Sequence, residues 1–354
     1  RIALFMRRDP FARMVTCLIY LPRNRYDTRL RIKFSEILEQ EIGTKFIGFQ
    51  STVDDSHLVR AIFTLGYTDH TKLDVDIEKI EARLQESGQN WDERLNDTLV
   101  ERLENEDEAA ILTYRYGSAF PVAYQESYLA KQAVHDIDKI EQVIASGQPD
   151  VDLYKPHGSG DNRVSLKIYS RETPIALSDI LPILENMGLK IEAEYPYEIR
   201  PNHTNKTIWI QDFEASINGI IQNGVNKLSI KTVAQNFENC LKGIWNGEIE
   251  NDSLNKLVLL AGLSPREIVI LRTYIRYMRQ TKIAFSLPYM EQALTDYPAI
   301  AKLLIEYFET LFHPSQLSAR MAAAKKKSAQ ENIVSQVEAE LQSVASLDQD
   351  KVLR

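Results

Sequence analysis

Residues 14–67 read MVTCLIYLPRNRYDTRLRIKFSEILEQEIGTKFIGFQSTVDDSHLVRAIFTLGY, and this stretch decides the fold. Met14 to Tyr20 is a short apolar, β-branched run halted by the turn-forming Pro22-Arg23-Asn24-Arg25, which predicts a buried strand. Asp27 stands where a short carboxylate can accept from the free amides of a helix's first turn. Leu30, Phe34, Ile37, Leu38 and Ile42 then recur at helical spacing until Gly43 ends the pattern. Thr44 to Val53 and Leu58 to Tyr67 are rich in Phe, Ile, Val and Thr and predict two strands, with Asp54-Asp55-Ser56 as the hairpin turn between them. A second helix is predicted from about Asp74 to Glu86, with Val75, Ile77, Ile80 and Leu84 inward. Strand, helix, strand, strand, helix is five-sixths of the ferredoxin-like βαββαβ plan, in which two helices cover one face of a four-stranded antiparallel sheet. No sixth strand is evident after the second helix.

Working outward, residues 91–146 read as helix throughout, with Trp91, Leu95, Leu99 and Leu103 at steps of four, then Ile111 and Tyr114, and later Val134, Ile137, Ile140 and Ile144. Gly147-Gln148-Pro149 breaks that region and a second αβ unit begins. Its expected elements are strands Val151 to Tyr154 and Val164 to Tyr169, a helix Ser178 to Met187 capped by Ser178, strands Lys190 to Ile199 and Thr207 to Ile217, and a helix Ser229 to Trp245. Beyond Asn251 only helices are predicted: Ser253 to Ala261, Ser264 to Gln280, Ser286 to Thr295 and Pro298 to Phe312. Ser264-Pro265 is a clean start, a cap followed by proline at the first helical position. In the tail, Ile333, Val337, Leu341 and Val344 form one narrow apolar stripe that needs a partner surface. The expected class is α+β: two sheet-and-helix modules at 1–90 and 148–248, a helical insert at 91–147, a helical domain at 249–314 and a linker helix at 315–354.

A chain of 354 residues exceeds what one core usually organises. Its hydrophobic fraction of 44% and charged fraction of 26% are those of a globular protein, not of a disordered or fibrous one. A formal charge of −8 gives no field that would draw phosphate backbones or anionic lipid, so neither nucleic acid nor membrane is an expected partner. Cys17 and Cys240 stand far apart without CxxC spacing; neither a disulfide framework nor a cysteine zinc site is indicated, and a reducing cytoplasm is the expected location. No apolar run approaches the roughly 18 residues of a membrane span, and the opening RIALFMRRDPFARM lacks a signal peptide's layout. Arg1 sits inside what looks like a strand, and Asp348 to Arg354 closes in mid-stride. The chain therefore reads as a piece of something longer.

Motifs for chemistry are near misses. Gly158-Ser159-Gly160 offers two of the glycines of a dinucleotide fingerprint, but Arg163 stands where the third belongs and a strand follows, so a turn is the reading. Gly219 and Gly224 have P-loop separation, yet Val225-Asn226 replaces the lysine and hydroxyl that would hold phosphate and magnesium. His57, His70, His135, His157, His203 and His313 show no metal-ligand spacing. Asp54-Asp55-Ser56-His57 sits in one tight turn, where side chains diverge rather than converge as a triad requires. After Ser264, Arg272, Tyr274, Arg276, Arg279 and Lys282 give a helix a basic side opposite Ile268, Leu271, Ile275 and Met278. That side is a solvated face or, more sharply, a docking face through Arg272, Arg276 and Arg279 for an acidic neighbour, for which Asp212 to Glu214 and Glu248 to Asp252 are candidates in the same chain.

Several strings together resemble one family. Phe5-Met6-Arg7-Arg8-Asp9-Pro10-Phe11, with Cys17-Leu18-Ile19-Tyr20-Leu21-Pro22-Arg23-Asn24-Arg25-Tyr26, is similar to the RRDPFGRFVS…YVPRDRY stretch of the large bacterial NAD-specific glutamate dehydrogenases. Leu177 to Leu189, LSDILPILENMGL, with Tyr195-Pro196-Tyr197-Glu198-Ile199, resembles that family's LSDVLPMLENMGL…PYEI run. Glu250-Asn251-Asp252 with Asn255-Lys256-Leu257, and Leu271 to Gln280, resemble its helical region, and Ser346 to Asp350 the stretch entering its catalytic domain.

The resemblance implies ACT-like βαββαβ modules and helical motifs that precede the dehydrogenase domain, so that the nicotinamide site and catalytic groups lie beyond Arg354. No catalytic, cofactor or metal residue is carried over. NAD is the cofactor of the parent and none is expected here. The expected role is regulation and subunit positioning in an enzyme oxidising L-glutamate, with the downstream catalytic domain, other subunits and a small amino-acid effector as partners. Arg23, Asn24 and Asp27 are the effector-loop candidates, their plainer role being turn formation and helix capping. The competing reading is a stand-alone ACT-like regulatory or interaction protein that binds an amino acid or a protein partner.

Overall fold

The computed structural model describes residues 2–11, 13–53, 57–66, 75–156, 158–160, 162–217, 230–281, 283–313 and 322–354. They form two compact units, one of Arg1–Gly117 with Leu129–Val134 and the other of Ser118–Tyr128 with His135–Arg354.

In the first unit a hairpin of β1 (Ala3–Arg8) and β2 (Met14–Pro22) leads into α1 (Thr28–Ile42), β3 (Phe46–Val53), β4 (Leu58–Gly66) and α2 (Ile77–Ser87). The strands lie in the order β1-β2-β4-β3, every pair antiparallel. The sixth element therefore exists but precedes the others, and the module runs ββαββα where βαββαβ was expected. The strand-like start at Arg1 is this edge strand, which pairs on one side only and carries the exposed Phe5 and Arg7 on its outward face. Alternation decides which sheet face is buried. Val15, Cys17, Ile19 and Leu21 of β2 and Val59, Ala61, Phe63 and Leu65 of β4 meet Phe34 and Leu38 of α1 and Leu84 of α2 in one core. Asp27 caps α1 by accepting from the Leu30 amide at 2.7 Å, and Gly43 ends it at φ 73°, a left-handed conformation that costs a side chain. The expected turn Asp54-Asp55-Ser56 lies outside the described residues. Helices α3 (Trp91–Leu103) and α4 (Glu106–Tyr116) follow, α3 opening with a capping box of Asn90 and Glu93.

In the second unit, α5 (Val122–Ser127) and α6 (Ala130–Ser146), the latter from His135 onward, precede β5 (Asp150–Tyr154), β6 (Arg163–Arg171), α7 (Leu177–Asn186), β7 (Leu189–Ile199), β8 (Ile208–Ile217) and α8 (Ile230–Trp245). The sheet order β5-β6-β8-β7 repeats the topology of the first. Ser178 does not cap α7: Ala176 holds the cap position without a side-chain bond, and the Ser178 hydroxyl turns to Asp179 Oδ1 at 3.1 Å. The chain entering α7 is instead tied to the sheet by Gln211, whose side chain exchanges hydrogen bonds with the Ile175 amide and carbonyl at 2.7 and 3.0 Å.

The stretch expected as one helix from Ser253 divides into a 3-10 turn, Ser253–Lys256, and α9 (Leu257–Ala261), because Asp252 caps the turn on the Leu254 amide. Helices α10 (Pro265–Gln280), α11 (Leu287–Asp296), α12 (Pro298–Phe312), α13 (Ala322–Leu341) and α14 (Leu347–Leu353) complete the unit. One continuous core joins Phe213 of β8 and Phe237 of α8 to Leu257, Ile268 and Ile300 of the later helices. Most of the tail stripe finds its surface there: Leu341 joins that core and Val337 and Val344 pack against it, while Ile333 is also buried. No helix among the described residues is long and apolar enough to cross a membrane.

Candidate functional site

The loop after β2 is a 3-10 turn, Arg23–Arg25, pinned by the Arg23 amide donating to the His57 carbonyl at 2.9 Å. The Arg23 side chain is exposed, Asp27 is engaged in the α1 cap, and the side chain of Asn24 lies outside the described residues. Arg23 thus opens the turn and Asp27 caps the helix behind it, and the observed bonds of both shape the backbone. Beside them is an open basin lined by Arg25, Asp27, Arg29, Lys33, Gln89 and Arg94. Arg25 is paired with Glu93, whereas Lys33 and Arg94 have no ion pair among the described residues. Such a basin suits an anionic group.

On α10, Ser264 closes a capping box with Glu267. The basic side is not one surface. Arg272 is buried, 6% exposed, and its guanidinium makes two bonds to Asp252, from Nε to Oδ2 at 2.5 Å and from Nη2 to Oδ1 at 2.9 Å, plus one to Asn255 Oδ1 at 3.0 Å. Burial opposes the charge, but the pairing with Asp252 outweighs it and the pKa of Arg272 is raised. It is therefore removed from any docking face. Arg276 is exposed and paired with Glu250, Arg279 is exposed, and Lys282 lies outside the described residues. The pattern of apolar residues placed Arg272 on the polar side, and only the neighbouring Asp252 turn explains why it is covered.

A third constellation carried no sequence signal. Lys167 lies on β6, an inner strand, facing away from the core that α7 and α8 cover, with Asp152 and Asp212 as its cross-strand partners. Residues of α5 and α6 cover that outer face. Lys167 Nζ reaches Asp136 Oδ2 of α6 at 2.6 Å and stands 4.0 Å from the centroid of the Tyr128 ring. Tyr169 donates to Asp136 Oδ1 at 2.8 Å, and Tyr124 donates to Asp136 Oδ2. Three donors thus converge on one carboxylate, which ties the strand and both helices together. Tyr128 donates to Asp212 Oδ2, and Asp212 Oδ1 is buried without a partner among the described residues. Burial raises the pKa of Asp212 despite the opposing Tyr128 bond and the Lys167 charge. Nearby, Asp150 takes Lys139 of α6 at 3.2 Å and Lys242 of α8 at 2.5 Å. Burial pushes its carboxyl up, but the Lys242 bond, the Val151 amide and Lys139 together hold it below the usual value.

The remaining sequence candidates stay apart. Gly158 to Gly160 form a turn in which the Ser159 hydroxyl donates to the Pro156 carbonyl at 2.8 Å. Residues 218–229, with the P-loop-like glycines, and His70 and His157 lie outside the described residues. Cys17 and Cys240 are buried free thiols, pushed by burial to about 12 and about 11.

Four family models match the chain: glutamate dehydrogenase ACT2 domain at residues 3–92, helical motif 2 at 98–143, ACT3 domain at 148–226 and helical motif 3 at 249–314. The chain is 30% identical over 354 residues to the NAD-specific glutamate dehydrogenase of Halomonas elongata, matching 100% of this chain and 21% of that protein. The protein of the same name from Pseudomonas aeruginosa is 29% identical over 354 residues, again 100% and 21%. That from Mycobacterium tuberculosis is 29% identical over 364 residues, 99% of this chain and 22% of the relative. The chain thus spans about a fifth of the length of the curated relatives it matches.

Proposed function

Because the chain belongs to the large NAD-specific glutamate dehydrogenase family, we propose that it is a non-catalytic stretch that regulates and positions the subunits of such an enzyme. The parent reaction would be oxidation of L-glutamate by NAD and water to 2-oxoglutarate, ammonia and NADH in the cytoplasm. One observation carries this reading: the relatives align over the whole chain while the chain accounts for only about a fifth of them. The two ββαββα sheets are read as ACT-like modules, with helical motifs after each and the parent's catalytic domain and other subunits as partners.

Within the first module, the turn carrying Arg23, Asn24 and Asp27 borders the basin with Lys33 and Arg94, and this is the place proposed for an amino-acid effector, whose carboxylate the free cations would take. On α10, Arg276 and Arg279 remain as docking candidates for an acidic neighbour. Two measurements test the reading. The chain alone should give no glutamate-dependent reduction of NAD, and turnover by it would end the non-catalytic assignment. Calorimetric titration with a panel of amino acids should give heat that Arg23→Ala and Arg94→Ala diminish; silence across the panel removes the effector role and leaves the positioning role standing.

A further inference from the structure

Beside the core of the second module lies a half-open cavity of about 90 Å³. Its inner wall is aliphatic: Val151 of β5, Ile168 of β6, Ile175 of the segment entering α7, Ile180 of α7 and Leu241 of α8. All but Ile175 are buried. Protein interiors leave few voids larger than a water molecule, and a water placed against this wall would find few of the polar partners it needs. A cavity of about 150 Å³ takes benzene, about 25 Å³ for each carbon, so the space suits an aliphatic group of about three or four carbons.

The rim is of the opposite character. Gln148, Trp245 and Asn246 are exposed there, and Lys242 is half-buried. Lys242 Nζ pairs with Asp150 Oδ1 at 2.5 Å, and Lys139 takes Oδ2 of the same carboxylate at 3.2 Å. An ammonium has three donors, and with 40% of its side chain exposed Lys242 has room for a second carboxylate. The side-chain amides of Gln148 and Asn246 make no hydrogen bond among the described residues. Helix α8 ends at Trp245, so the negative end of its dipole lies at the same rim and favours a cation. An aliphatic hole ringed by an ammonium, two carboxamides and a helix C-terminus complements a free amino acid with a branched aliphatic side chain. We infer that the second module binds an amino acid of the size of valine or leucine. The side chain fills the cavity, the carboxylate meets Lys242, and the ammonium sits at the end of α8 with the carboxamide oxygens of Gln148 and Asn246. An anchor residue of a partner protein would fill the same space but brings no free head group for the rim. The site is in a different module from the basin at Arg94 and does not depend on that basin.

The test is calorimetric titration of the 354-residue chain with single compounds. L-Leucine and L-valine should give heat. L-Alanine leaves the cavity empty and should bind at least about 10-fold more weakly, the scale of the lost methyl groups. The 2-oxo acid of leucine, without the ammonium, and N-acetyl-L-leucinamide, without either charge, should be weaker by at least the same factor. Ile175→Phe, at a half-buried position, fills the cavity and should abolish the leucine heat, with an unchanged circular dichroism spectrum as the check on folding. If that spectrum changes, Lys242→Gln takes its place and should weaken leucine at least about 10-fold. Arg94→Ala should leave the leucine heat in place. Heat lost with Arg94→Ala and kept with Ile175→Phe or Lys242→Gln assigns leucine to the basin of the first module and overturns this site. Silence with both leucine and valine overturns it as well, and so does equal binding of N-acetyl-L-leucinamide. None of these outcomes touches the non-catalytic reading, which the assay with NAD tests.

Discussion

Lys167 and Asp136 meet at 2.6 Å with side chains only 4% and 2% exposed, one from an inner strand and the other from the helix that covers it. Charges so far from water are stable only as a pair, since each alone would carry an uncompensated desolvation cost. The contact ties α6 to the outer face of β6 at Asp136, where Tyr169 of the same strand and Tyr124 of α5 also converge.

Removing one member should therefore be costly. Lys167→Met or Asp136→Leu alone is expected to destabilise the second unit by about 3–5 kcal/mol, while the double variant should recover most of that. Urea denaturation of the three proteins checks it, and equal losses in single and double variants would show that the pair is not coupled.

Asp212 supplies a pH dependence of definite sign. Its folded pKa is raised above the ordinary aspartate value of 3.8, chiefly by burial, so the folded state holds the proton more tightly than the unfolded chain. Its contribution is fully present below the unfolded value and is lost as pH rises through the folded one. Asp212→Asn keeps an acceptor for Tyr128 and cannot ionise; its stability should vary less with pH above 4, about where unfolded Asp titrates. Parallel pH–stability curves for both proteins would contradict this assignment.

The arginines of α10 should separate. Arg272→Ala leaves Asp252 and Asn255 without their buried partner and should cost about 3–5 kcal/mol. Arg272→Lys cannot rebuild the two-point contact and should recover only part. Arg276→Ala breaks an exposed pair with Glu250 and should fall within about 0.5 kcal/mol of the parent. Thermal melts of the three variants read the difference directly.

Backbone conformation gives a further case. At φ 73°, Gly43 ends α1 in the left-handed region, and Gly43→Ala should destabilise the first unit by about 1–2 kcal/mol. Ser264→Ala removes the α10 cap and should cost about 1 kcal/mol. If denaturation midpoints move in neither variant, these termini contribute less than their geometry implies.

Much of this protein is written locally. Alternation along Val15, Cys17, Ile19 and Leu21 and the helical spacing of Leu30, Phe34 and Leu38 specify both element type and buried face, because a side chain's direction follows from its place in a strand or helix. Caps such as Asp27 and Ser264 and the stop at Gly43 are equally local. Where stability comes from elsewhere, an element's place in the module and its exact start were harder to read. The edge strand Ala3–Arg8 takes its place from its one neighbour, β2, and α7 begins where Gln211, distant in sequence, anchors Ile175.

The site residues divide in the same way. Sequence alone placed Arg23 and Asn24 in a turn, Asp27 at a helix cap and Arg272 on the polar side of a helix. Only tertiary structure decided that Arg272 is buried against Asp252, and that Lys167 and Asp136, 31 residues apart, form one ion pair. Solvation and charge pairing depend on which surfaces close over a residue, and that is a property of packing rather than of spacing along the chain.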